Sequence, residues 1–185
     1  MKEVPRMDSI SQPDRNTLDA AGDARHTWIV VIDDDPDCRL LVRDAIEESI
    51  GTTVKIHECG NGKEGYEYLC SQPGSNPESL PTLVFLDLEM PHMDGMDVLR
   101  SVRAIPELSL LPIVVLTGVD DDSAERQVMS LGANSYTCKG KDADTLITRV
   151  SQAATYWTKV HRPLNRVSGE ACTGNETPSS DTKAA

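Results

Sequence analysis

The sequence predicts an α/β fold, a doubly wound sheet of five parallel strands. Three observations lead there. Apolar runs of strand length alternate with stretches whose apolar residues recur at helical spacing, five times along the chain. The strand run at Trp28–Ile32 is continuous rather than alternating, as a strand covered on both faces should be. The connections are short, and right-handed crossovers then give a parallel sheet.

Trp28–Ile32 is the first such run. Pro36 sits where the first turn of a helix tolerates it. Cys38, Leu41, Val42, Ala45 and Ile46 then recur at helical spacing up to Gly51. Residues 53–59 alternate weakly and suit a strand on the edge side of the sheet. Gly60-Asn61-Gly62 is a turn, and residues 65–70 continue as a helix. Pro73-Gly74-Ser75-Asn76-Pro77 makes a long loop before the strand at 82–86. Met96, Leu99, Val102 and Arg103 mark the next helix, closed near Pro106. Pro112 opens the strand at 113–116. Ser123 is the predicted cap of a helix that stops at Gly132, and Ser135–Cys138 is the fifth strand. A last helix runs from about Asp142 to Val160, with Leu146, Ile147, Val150, Ala153, Ala154 and Trp157 on one face.

The 185 residues allow one domain with tails. Apolar content of 38% is low for a chain packed end to end. The polar stretches 1–26 and 162–185 read as a disordered leader and a disordered tail, leaving 27–161 as the folded domain. Net charge is -12, and nearly all of it falls in that middle part. Such acidity argues against nucleic acid or an anionic membrane as a direct partner. Five cysteines without a Cys-x-x-Cys pair read as reduced thiols in a cytoplasm. Neither a secretory signal nor an apolar run near the roughly 18 residues needed to span a bilayer is evident.

Four strand runs end on polar residues. The first stops at Asp33-Asp34-Asp35, the third at Asp87, the fourth at Thr117-Gly118 and the fifth at Lys139. In a parallel sheet the carboxyl ends of neighbouring strands converge on one crevice. Carboxylates, a hydroxyl and an ammonium gathered there suit a divalent cation and a phosphoryl group together.

With the run Asp87-Leu88-Glu89-Met90-Pro91-His92-Met93-Asp94-Gly95 between Asp33-Asp34, Thr117-Gly118 and Lys139, the chain resembles the response regulator receiver domain of two-component signalling over about residues 27–160. The resemblance implies a flavodoxin-like (βα)5 fold with strand order 2-1-3-4-5. It implies that Asp87 accepts a phosphoryl group from a phosphohistidine on a kinase or phosphotransfer protein, in a Mg²⁺-dependent reaction. Asp34 is then a direct metal ligand and Asp33 a water-mediated one; Asp87 and the backbone carbonyl of Glu89 complete the protein ligands. Lys139 pairs with Asp87 and then with the phosphoryl group. Thr117 donates to a phosphoryl oxygen, and Tyr136 is the switch aromatic that follows it inward. Gly140 stands where the family usually has proline. The insert at 71–81 and the extended last helix with Tyr156-Trp157 resemble the phytochrome-associated subgroup of stand-alone regulators.

On this reading the chain is a phosphoacceptor signalling protein rather than an enzyme, catalysing only its own phosphorylation and autodephosphorylation. About 25 residues after the last helix are too few for an output module. The signal is therefore expected to leave through a protein surface, toward a downstream target or a second copy of the chain. Two other classes compete. A haloacid-dehalogenase-type phosphohydrolase would use Asp33 as nucleophile and Asp35 as acid. A calcium-binding loop would use Asp33, Asp35, Asp37 and Asp44, but lacks the glycine and the preceding helix it needs.

Overall fold

The computed structural model describes residues 27–72, 80–118 and 121–161. The sequence readings at 1–26, at Pro73–Pro77 and at 162–185 lie outside the described residues. Five parallel strands form one sheet in the order β2-β1-β3-β4-β5. They are β1 (Trp28–Ile32), β2 (Lys55–Cys59), β3 (Leu83–Asp87), β4 (Ile113–Thr117) and β5 (Ser135–Cys138). The helices are α1 (Pro36–Ile50), α2 (Gly62–Ser71), α3 (Gly95–Arg103), α4 (Asp122–Ser130) and α5 (Ala143–Thr155).

The continuous apolar runs divide by parity, because successive side chains in a strand point to opposite faces. Ile29, Val31, Leu83, Phe85, Val114 and Leu116 pack with α1 and α5. Val30, Ile32, Val84, Leu86, Ile113 and Val115 pack with α2, α3 and α4. β1, β3 and β4 are buried throughout, whereas the edge strands β2 and β5 are only partly covered.

The element ends depend on side-chain caps that hydrophobic spacing does not report. α2 begins at Gly62 rather than 65, because the Asn61 side chain accepts from Glu64 N at 2.9 Å. α4 is capped by Asp121, not Ser123; the Asp121 carboxylate accepts from Ser123 N. Asp142 caps α5 through Thr145 N. That helix ends at Thr155 and continues as one wide π turn over Tyr156–Val160, where Tyr156, Trp157 and His161 form a ring cluster.

Gly140 takes φ 84, and a Cβ there would stand 2.5 Å from Thr145 Cγ2. Only glycine fits that turn without strain, and the Lys139–Gly140 bond is trans. The departure from proline thus has a local cause. His57 is half-buried and stacks on Tyr68 with ring centroids 3.5 Å apart.

Candidate functional site

The site begins where β1 must turn into α1. Asp33 N extends the β1–β2 ladder by donating to Cys59 O at 3.2 Å. Two Asx turns then wind the chain into the helix. Asp33 Oδ1 accepts from Asp35 N at 2.9 Å, and Asp35 Oδ1 accepts from Asp37 N at 2.9 Å. Asp35 and Asp37 therefore shape the helix start, and Asp44 is exposed on α1. The acids do not form a calcium loop.

Asp87 closes β3 and is 4% exposed; Asp33 is 2% exposed. Asp34 lies open to solvent beside them. One carboxylate oxygen from each of Asp33, Asp34 and Asp87 lies within 4.8 Å of the others. Gly95 permits this arrangement. Its N–H donates to Leu88 O at 3.0 Å, and a Cβ there would meet Asp87 O at 2.1 Å. The intervening loop turns at His92, whose φ is 70, with Met93 N donating to Pro91 O.

Lys139 enters from the far side of the sheet. Its N–H donates to Thr117 O at 2.7 Å, tying the ends of β5 and β4 together. Its ammonium reaches Asp33 Oδ2 at 2.8 Å and Asp87 Oδ1 at 3.0 Å. The sequence reading paired Lys139 with Asp87 alone; the fold makes it a bridge between two acids. The contact to Asp87 is one of charge rather than an aligned hydrogen bond, so Asp87 Oδ1 is buried with no well-aligned donor among the described residues. Asp33 differs, since both its oxygens are engaged, by Asp35 N and by Lys139. A dehalogenase-type role for Asp33 as a free nucleophile does not suit that arrangement.

Thr117 is fully buried at the end of β4, one register step from the strand pair Asp87–Leu116. Tyr136 sits opposite Val115 in β5 and packs against the α2–α3–α4 side of the core. The Glu89 side chain is exposed and hangs beside the turn after β4; a Cβ on Gly118 would lie 3.4 Å from Glu89 Oε2.

The electrostatics follow from this packing. Burial pushes the Asp87 carboxyl above the usual range, Lys139 opposes the shift and Asp33 adds to it. Burial works against the Lys139 charge, but the bond to Asp33 and the charges of Asp87 and Asp33 outweigh it, and its pKa is raised. Cys38, on the first turn of α1, is pushed up to about 12 by burial and by contact with Asp33, so it stays a neutral thiol.

The donor set fits a hard divalent cation. All three groups are carboxylates, one carries a buried oxygen without a well-aligned donor among the described residues, and Asp34 faces water. Magnesium favours few carboxylates, with waters and substrate oxygens filling its shell.

Two residues at this site carry no motif. Arg39 and Glu58 meet behind the Asp33–Asp34 turn, with Arg39 Nη1 donating to Asp33 O at 2.6 Å. The available signal was a basic residue one turn into α1, facing an acid near the end of β2.

A family profile described as "Response regulator receiver domain" matches residues 29–151. The probable methanogenesis regulatory protein FilR2 of Methanothrix harundinacea (strain 6Ac) is 30% identical over 135 residues, 73% of this chain and 86% of that protein. Among solved structures, the phosphorylated cyanobacterial phytochrome response regulator RcpA is similar at 26% identity and TM-score 0.66, covering 74% of this chain and 97% of its own. The Mn²⁺-bound form of response regulator Rcp1 shares the fold at 24% identity and TM-score 0.65, over 75% of this chain and 99% of its own.

Proposed function

This chain belongs to the response regulator receiver family, and from that premise we propose that Asp87 accepts a phosphoryl group from a histidine kinase or phosphotransfer protein. The observation that carries this is the convergence of three carboxylate oxygens within 4.8 Å, with one ammonium 2.8 and 3.0 Å from two of the acids. A carboxylate so placed is a competent nucleophile once charge on the phosphoryl oxygens is neutralised.

In this reading Asp34, Asp87, the Glu89 carbonyl and, through water, Asp33 hold Mg²⁺. The bound ion supplies positive charge to the phosphoryl oxygens. The Asp87 oxygen then forms its bond to phosphorus as the bond from phosphorus to the donor imidazole breaks, and the imidazole takes up a proton. Lys139 already stands beside Asp87 and would transfer its contact to a phosphoryl oxygen. Thr117, buried at the neighbouring strand end, would donate its hydroxyl to another. Tyr136 would follow Thr117 and alter the surface around β5. Residues 27–161 are the receiver domain of this reading. The protein acts in the cytoplasm as a signalling component, hands its signal to a protein partner or a second copy, and processes only its own phosphoryl group. The likeness to RcpA, a phytochrome response regulator, supports the phytochrome-associated resemblance.

Acetyl phosphate with Mg²⁺, followed by tandem mass spectrometry, tests the assignment. The label is expected on Asp87, with none on the Asp87→Asn variant. A phosphate on Asp33, or labelling that persists without Asp87, would overturn it.

A further inference from the structure

Asp34 is the exposed member of the acid cluster, and its own side chain has no donor among the described residues to aim it. Its direction is set by the backbone. The peptide group joining Asp33 to Asp34 carries the Asp33 carbonyl, and that carbonyl accepts from Arg39 Nη1 at 2.6 Å. A charged donor on this oxygen holds the peptide plane, and with it the direction in which Cβ leaves Asp34. Arg39 is itself held. Its Nε lies 3.5 Å from Glu58 Oε2, while Arg43 Nη1 lies 3.0 Å from Glu58 Oε1. Glu58 pairs with Val31 in the β1–β2 register, so the anchor stands on the strand beside the one that delivers Asp33. The Arg39 side chain is only 17% exposed, which limits the ways its guanidinium can turn.

We infer that Arg39, anchored by Glu58, is a positioning residue that orients Asp34 toward the divalent cation. This rests on the metal-dependent reading given above.

Charge and positioning make opposite predictions here. A cation beside three carboxylates repels a second cation, so as a mere charge Arg39 weakens metal binding and its removal tightens it. As a positioning group it preorganises Asp34, so its removal loosens binding. Loss of a group that orients a ligand typically costs 10–100-fold in metal affinity.

The test is calorimetric titration of the full chain with Mg²⁺, alongside thermal melts without metal that confirm each variant is folded. Arg39→Met, which removes donor and charge, is expected to raise the Mg²⁺ dissociation constant about 10–100-fold. Arg39→Lys keeps a cationic donor and is expected to recover most of that loss. If Arg39→Met fails to fold, Arg39→Ala, which also removes donor and charge, takes its place under the same expectation. Binding by the neutral variant that is equal to or tighter than that of the unmodified chain overturns the role of Arg39. A separate result overturns the metal site itself: no Mg²⁺ binding by the unmodified chain, or undiminished binding by Asp34→Asn.

Discussion

Replacing Asp87 by Asn is expected to stabilise the metal-free protein and to remove most of its response to Mg²⁺. The magnitude follows from the distances. At an effective dielectric of about 20, two carboxylates 4.8 Å apart repel by roughly 3–4 kcal/mol. The Lys139 contact at 3.0 Å returns roughly 5–6 kcal/mol at the same dielectric, but Asp33 shares that ammonium at 2.8 Å. Desolvating the Asp87 charge costs several kcal/mol more. Asp34 adds little repulsion, because water screens it. The balance leaves the ionised Asp87 unfavourable by about 1–3 kcal/mol, in keeping with its raised pKa. Asn has the same shape and no charge. Its midpoint without metal should rise by about 2–12 °C. Saturating Mg²⁺ should then reverse the order, since the unmodified protein gains about 2.7 kcal/mol at a hundredfold excess over the dissociation constant and the variant gains far less. Differential scanning calorimetry with and without Mg²⁺ reads both effects. A variant that melts below the unmodified protein in the absence of metal would refute the charge argument.

Other positions give independent checks. Arg103 donates to the carbonyls of Gly132, Leu108 and Leu111 and to Asn134 Oδ1. Arg103→Ala leaves those acceptors short of a donor and should cost about 2–4 kcal/mol in urea unfolding. Gly140→Ala meets both the φ of 84 and the Thr145 methyl. It should destabilise by about 1–3 kcal/mol and weaken phosphorylation more than a surface change would, because Lys139 precedes it. The raised pKa of Lys139 has a defined sign. Its contribution to stability is complete below the unfolded value of about 10.4 and is lost as pH climbs through the higher folded value. The stability gap between the unmodified protein and Lys139→Met should therefore hold steady from about pH 7 to 9 and shrink above about pH 10.4.

Much of the architecture was legible in residue order because its causes are local. A strand covered on both faces must be apolar along its length, and β1, β3 as far as Asp87 and β4 as far as Thr117 are. Parallel pairing then sends Asp33, Asp87, Thr117 and Lys139 to one end of the sheet, so their meeting could be argued before any coordinate was known. The element starts were less clear. Asn61 and Asp121 act through single side-chain hydrogen bonds that leave no periodic trace, whereas the start of α5 at Asp142 was readable.

The sequence by itself determined the layers and the order of the strands' polar ends. Tertiary structure alone decided how the acids differ. Asp33 is engaged by Asp35 and by a lysine 106 residues away, Asp87 keeps a buried oxygen without a well-aligned donor among the described residues, and Asp34 follows a carbonyl that accepts from Arg39. Three aspartates are chemically identical in a sequence. Burial, neighbouring charge and hydrogen-bond direction distinguish them, and these exist only once distant segments have packed together.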